Sequence, residues 1–298
     1  FFSGLFEGNS VIAAAAMADI STTRQEKGQR FGLILGVSSL GFILGPYIGG
    51  RLSDSHSVSW FGYSTPFLLA AILVFIGLLL VLFMFQETLP KKGRPQFELK
   101  STFQSIFSSV FTSKLRHLFM SNFLIFLAIF FFFSFFPVLL VWWYGYNATH
   151  IGEVISYLSI PIALSPLLFA ILSKHMLPRN AAILSALILM GSILSLFLAK
   201  DPLFLFFSLI PIGLCIAVSW TYSSLIISDR VSAAKQGEAL GTNQSITILA
   251  EIMAGLVGGM TAGIKMFAPI VIAAAAAALG ALWLWFFVPK DQIDRAHQ

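Results

Sequence analysis

Two acidic residues of this chain, Glu7 and Glu251, lie inside long apolar runs. An ionised side chain at the centre of a bilayer costs about 2.5–3.5 kcal/mol on insertion scales, so each needs a reason to be there. A carboxyl in apolar surroundings resists ionisation, and it can take up and release a proton when those surroundings change. Glu7 sits in the run 1–20, with Asn9 two residues on. Residues two apart point about 200° apart around a helix, so the two cannot both face one cavity. Glu251 sits midway along the run 240–263, where proton exchange and a packing carboxyl at a seam are both open readings.

A second group could bind rather than transfer. Asn122, Phe126, Phe133 and Phe136 can share one helix face. Trp220 and Ser224 stand at i, i+4, as do Cys215 and Ser219, with Tyr222 nearby. Aromatic rings of this kind hold amphipathic organic molecules by stacking, although packing against helices or lipid accounts for any single one of them. Trp142, Trp143 and Tyr144 end a run and read as an interfacial belt. Catalytic constellations are absent: the five histidines fall in loops or at run ends, and no HExxH, GxSxG or phosphate-cradling glycine–lysine motif occurs. No metal site or cofactor is expected. Asn147-Ala148-Thr149 forms a sequon of a length that chance supplies often.

The surrounding elements follow from composition. Hydrophobic residues make up 57% of the 298 residues and charged residues 10%, against roughly 25% charged in soluble domains. Lipid is therefore the solvent, and the net charge of +5 reflects topology rather than nucleic-acid binding. Runs at 1–20, 31–50, 64–86, 118–141, 151–172, 180–199, 202–227, 240–263 and 266–288 have spanning length, about 20 residues for a 30 Å core. Each must be helical, because lipid offers no partner to a backbone N–H or C=O. Of the 18 Lys and Arg, all but Arg51, Lys200 and Lys265 fall in alternate loops or beyond the last run. That bias makes those segments cytoplasmic and puts the C-terminus inside. Cys215, the single cysteine, lies within an apolar run, so disulfides do not hold the fold.

The chain also repeats itself. Gly28, Gly32, Gly49 and Gly50 fall in the same register as Gly237, Gly241, Gly258 and Gly259, the mark of two copies of a multi-helix unit. The two copies lie six runs apart, so two six-helix halves need twelve helices. Three would precede residue 1, where the sequence opens inside an apolar run. The expected division is 1–86 for the end of the first half, 87–117 for a cytoplasmic linker, and 118–298 for the second half. In the linker, Leu99, Phe103, Ile106, Phe107, Val110 and Leu115 recur at helical spacing. They fit an interfacial amphipathic helix or an extension of the next span.

Gly41, Gly45 and Gly49 recur every four residues beside Pro46 and Gly50. Such a face permits close helix approach, and the proline removes one helical hydrogen bond. A sliding seam and ordinary close packing both use these features. The stretch reads GxxxGPxxGG, and it resembles the fifth-helix signature of antiporters in the major facilitator superfamily. Ala18-Asp19-Ile20, the basic loop before Phe31-Gly32, and Gln236-Gly237-Glu238-Ala239-Leu240-Gly241 are similar to its flanking patterns. Phe2-Ser3-Gly4 is what remains of the fourth-helix arginine motif. Segment 171–180 (ILSKHMLPRN) keeps Ser173 and Arg179 of GxLSDRxGR but lacks its glycine and aspartate, so no salt-bridge latch is expected there.

The resemblance, to the drug:proton antiporter branch that includes tetracycline-resistance pumps, implies an all-α polytopic membrane protein. It implies a two-half helical bundle, with nine spanning helices of twelve in this chain, the fourth to the twelfth. It further implies a monomer in a bacterial inner membrane that exports a small amphipathic compound against protons, through a path near Glu7, Asn9, Asn122, Phe126, Trp220, Tyr222 and Glu251. The conformational seam would run along Gly41, Gly45, Pro46, Gly49, Gly50, Gly258 and Gly259. Asp19, Arg24 and Arg30 would anchor a cytoplasmic loop. Import of a small solute on the same fold is the alternative; a membrane enzyme or a channel fits less well, since the spans lack histidine and no polar filter segment occurs.

Overall fold

A computed structural model describes residues 20, 24–55, 58–85, 115–164, 172, 174–198, 201–231 and 236–288. The described residues form eight α-helices: α1 (Arg24–Leu52), α2 (Thr65–Met84), α3 (Arg116–Tyr144), α4 (Ala148–Ala163), α5 (Pro178–Ser195), α6 (Pro202–Ser228), α7 (Gln236–Ile264) and α8 (Ala268–Phe287). Six of them, all but α1 and α4, are long and apolar enough by length and composition to cross a membrane. The expected count of nine spans is thus not reproduced: α4 covers 16 residues, and the run 1–20 lies outside the described residues. Most of the linker, 86–114, lies outside them too.

Local chemistry sets the helix ends. Gly145 ends α3 at φ 63°, the one left-handed residue among those described, a conformation glycine adopts without a Cβ penalty. Two residues later the Asn147 side chain accepts from His150 N and caps α4. Asp201 accepts from Leu203 N and caps α6, with Pro202 in the first turn. The sequon Asn147 is thereby a helix cap.

Helices α3 to α8 enclose two apolar clusters. The larger takes Phe132, Phe136, Leu158, Leu189, Leu209, Ile216, Ala254 and Ala277. The smaller, near the ends that bear most of the Lys and Arg (the basic end), takes Leu118, Phe119, Tyr222, Ile226 and Leu284. Small residues let α8 approach α3: a Cβ on Gly280 would lie 2.7 Å from Ile125 Cγ1. Between apolar helices in lipid, such fit supplies the attraction that the hydrophobic effect supplies in water. Helix α1 packs on α4 and α2 touches α1, while α2 exposes apolar side chains along nearly its whole length.

Candidate functional site: a helix seam and a polar junction

The closest approach between α1 and the other helices is at the end opposite the basic one. A Cβ built on Gly50 would lie 2.6 Å from Ala148 O, 3.1 Å from Gly152 Cα and 3.2 Å from Thr149 Cα. One built on Gly152 would run into Pro46 O and lie 3.0 Å from Gly50 Cα. Backbone meets backbone here, and only glycine fits. Polar contacts gather around it: Thr149 Oγ1 donates to Gly50 O at 3.3 Å, and Arg51 Nη2 donates to Glu153 Oε1 at 3.2 Å. The ion pair is exposed and contributes little by itself. The Arg51 guanidinium lies 4.7 Å from the Tyr47 ring centroid.

Nothing described lies within 4 Å of a Cβ built on Gly36, Gly41 or Gly45, and Leu33, Val37 and Leu40 are exposed. Gly50 and Pro46 make the contact with Gly152 of α4, a residue the sequence reading passed over. A Cβ built on Gly49 would meet only Pro66 Cβ, at 4.0 Å. The repeat partners differ again: Gly258 packs on Phe135 of α3, within one helix group, and a Cβ built on Gly259 would meet nothing described within 4 Å.

The candidate path residues scatter over several surroundings. Glu7, Asn9 and Asp19 lie outside the described residues; Arg24 and Arg30 fall in the first turns of α1. Glu251 is exposed midway along α7. Trp220 is half-buried on α6, its ring 6.4 Å from that of Phe42 on α1. Tyr222 lies about 200° further around α6 and is wholly buried in the smaller cluster, so it is a core residue here. Phe126 and Phe136 are likewise buried in the larger cluster, with Phe133 at its edge.

Asn122 has a partner that spacing alone does not reveal. Its Nδ2 donates to Asn243 Oδ1 at 3.0 Å, and Asn243 Nδ2 donates to Ser223 Oγ at 3.2 Å. All three are buried, so the bonds tie α3, α7 and α6 together toward the basic end. Asn243→Leu should lower stability by about 1–2 kcal/mol, read by unfolding in detergent. Adding Asn122→Leu should recover part of the loss, because removing both partners strands neither.

Arg179 holds another junction. It is 4% exposed; Nε donates to Val288 O at 2.7 Å and Nη2 to Trp285 O at 2.7 Å. Its charge thus serves the free carbonyls at the C-terminus of α8. Beside the basic end, burial and then the Arg179 charge hold the Arg230 guanidinium below its ordinary value. Arg179→Met should cost about 2–3 kcal/mol, measured as a fall in thermal stability, and Arg179→Lys should not fully restore it, since lysine lacks the planar fork. Among the described residues no group of three His, Cys, Asp or Glu could hold a metal ion.

The model of the Major Facilitator Superfamily matches residues 1–142 and 118–297. The chain belongs to that superfamily. A curated protein similar to this major facilitator chain is the class H tetracycline resistance protein of Pasteurella multocida, 35% identical over 86 residues. The match takes in 29% of this chain and 20% of that protein. Among solved structures, the human organic anion transporter MFSD10 (TETRAN) gives a TM-score of 0.67 at 20% identity, covering 93% of this chain and 68% of that one. At that identity the likeness is one of fold, and it agrees with the helical architecture expected of the superfamily.

Proposed function

We propose that this major facilitator protein is a secondary transporter that exports a small amphipathic organic compound in exchange for protons. The observation that carries the reading is the glycine-only contact between α1 and α4, Gly50 and Pro46 against Gly152, beside a face of α1 at Gly41 and Gly45 that meets nothing described within 4 Å of a Cβ. A contact made backbone to backbone, with no side chains to interlock, suits helix groups that rock about a central path. On the positive-inside rule the basic end faces the cytoplasm, and the α1–α4 contact lies toward the opposite side. The protein would act as a monomer in a bacterial inner membrane. Trp220 of α6 and Phe42 of α1 would offer rings to the compound, and Glu7 and Glu251 are the candidate carriers of the proton. The divisions 1–86, 87–117 and 118–298 are kept as the proposed halves and linker.

The test is transport by the full-length protein in proteoliposomes under an imposed pH gradient. Substrate movement opposite to the proton gradient, with proton release on substrate addition, is the expected result. Movement in the same direction as protons would replace export with import, and transport indifferent to pH would remove the coupling.

A further inference from the structure

Away from the seam, helices α5 and α6 part to leave a cleft of about 220 Å³. Ala181, Ser185 and Ile188 line it from α5, and Pro211, Cys215 and Val218 from α6. Each set recurs at the i, i+4, i+7 spacing of one helix face. On the opposite face of α6, a Cβ built on Gly213 would lie 2.8 Å from Leu158 O and 3.2 Å from Pro161 Cβ of α4, so the cleft faces away from α4. Leu184, which also lines the cleft, is 43% exposed, and Ile188 is 42% exposed, so the cleft opens outward, where lipid lies around a spanning bundle. Its one polar side chain, Ser185, already donates to Ala182 O at 2.9 Å. A guest with polar groups would find no partner inside, whereas a hydrocarbon needs none.

The basic end of the cleft is different. Leu172 and Met176 close it, one turn apart, with Met176 N donating to Leu172 O at 2.8 Å. Lys174 and His175 stand on the same turn, both exposed. An apolar slot under a cation at the interface has the chemistry of a phospholipid: a tail above, an anionic head below. We propose that this cleft binds one acyl chain of an anionic phospholipid, whose phosphate rests on Lys174 and His175. The site is separate from the α1–α4 seam, and it does not depend on which compound is carried.

Cys215 lines the cleft and is the only cysteine of these 298 residues; with any cysteine outside them changed to serine, thiol labelling reports on one place. The full-length protein is reconstituted in nanodiscs of dioleoyl phosphatidylglycerol or dioleoyl phosphatidylcholine and treated with N-ethylmaleimide. Phosphatidylglycerol should slow labelling about fivefold relative to phosphatidylcholine, the worth of one lysine at an anionic surface, and Lys174→Glu should erase the difference. Native mass spectrometry of the detergent-solubilised protein supplies a second readout: wild type should retain one phosphatidylglycerol more than Ser185→Leu, which fills the slot. Equal labelling in the two lipids, or protection that survives Lys174→Glu, overturns the proposal. Protection by dihexanoyl phosphatidylglycerol as strong as by the dioleoyl lipid would leave the head and overturn the tail. Should the thiol react in neither lipid, the retained-lipid count decides, and no excess over Ser185→Leu rejects the site.

Discussion

Gly152→Leu is expected to cut turnover by about tenfold to a hundredfold, whereas Gly45→Leu should leave it near the wild-type value. Overpacking a close contact costs about 1–3 kcal/mol, and each 1.4 kcal/mol is about tenfold in a population. At Gly152 the atoms in the way are Pro46 O and Gly50 Cα, which belong to backbone and cannot rotate aside. At Gly45 a Cβ meets nothing described within 4 Å. Both variants keep their helices apolar, so membrane insertion should be unchanged. The measurement is transport per molecule of inserted protein, with Gly50→Leu as a second test from the other side of the contact. Wild-type turnover in Gly152→Leu and Gly50→Leu would reduce the seam to passive packing; a strong loss in Gly45→Leu alone would return it to the face that the glycine spacing suggested.

The second large effect concerns the proton. Glu7→Gln should abolish transport driven by a pH gradient while substrate affinity stays within about tenfold, roughly 1.4 kcal/mol. Glu251→Gln should act more weakly if that carboxyl serves packing rather than coupling. Glutamine keeps size and hydrogen bonding and removes the titration, so the comparison isolates the proton. Substrate-induced proton release from the full-length protein in proteoliposomes, followed at several pH values, is the measurement. Unchanged release in both variants would move the coupling site elsewhere in the protein.

Much of the architecture was legible in one dimension. Lipid imposes a length and an apolar composition on each span, so the runs at 64–86, 118–141 and 202–227 foretell α2, α3 and α6 within a few residues. The glycine–proline signature at 41–50 likewise pointed to the family whose model matches the chain. Contacts were not legible in that way. Helical spacing says which residues share a face, but not where the neighbouring helix lies along it. Gly41, Gly45 and Gly49 do share a face, yet the close approach falls on Pro46 and Gly50, one residue and about 100° further round α1, where Gly152 of α4 lies. Asn122 could be singled out as a polar residue in an apolar run; its bond to Asn243, on a helix more than a hundred residues away, had no local signal. Tyr222 looked like a neighbour of Trp220 in sequence and proved to be a core residue, because two steps along a helix cross to its far side. Solvent acts on every residue of a span and therefore writes itself into composition. A contact between helices depends on how two distant segments meet, and the tertiary structure alone decided that.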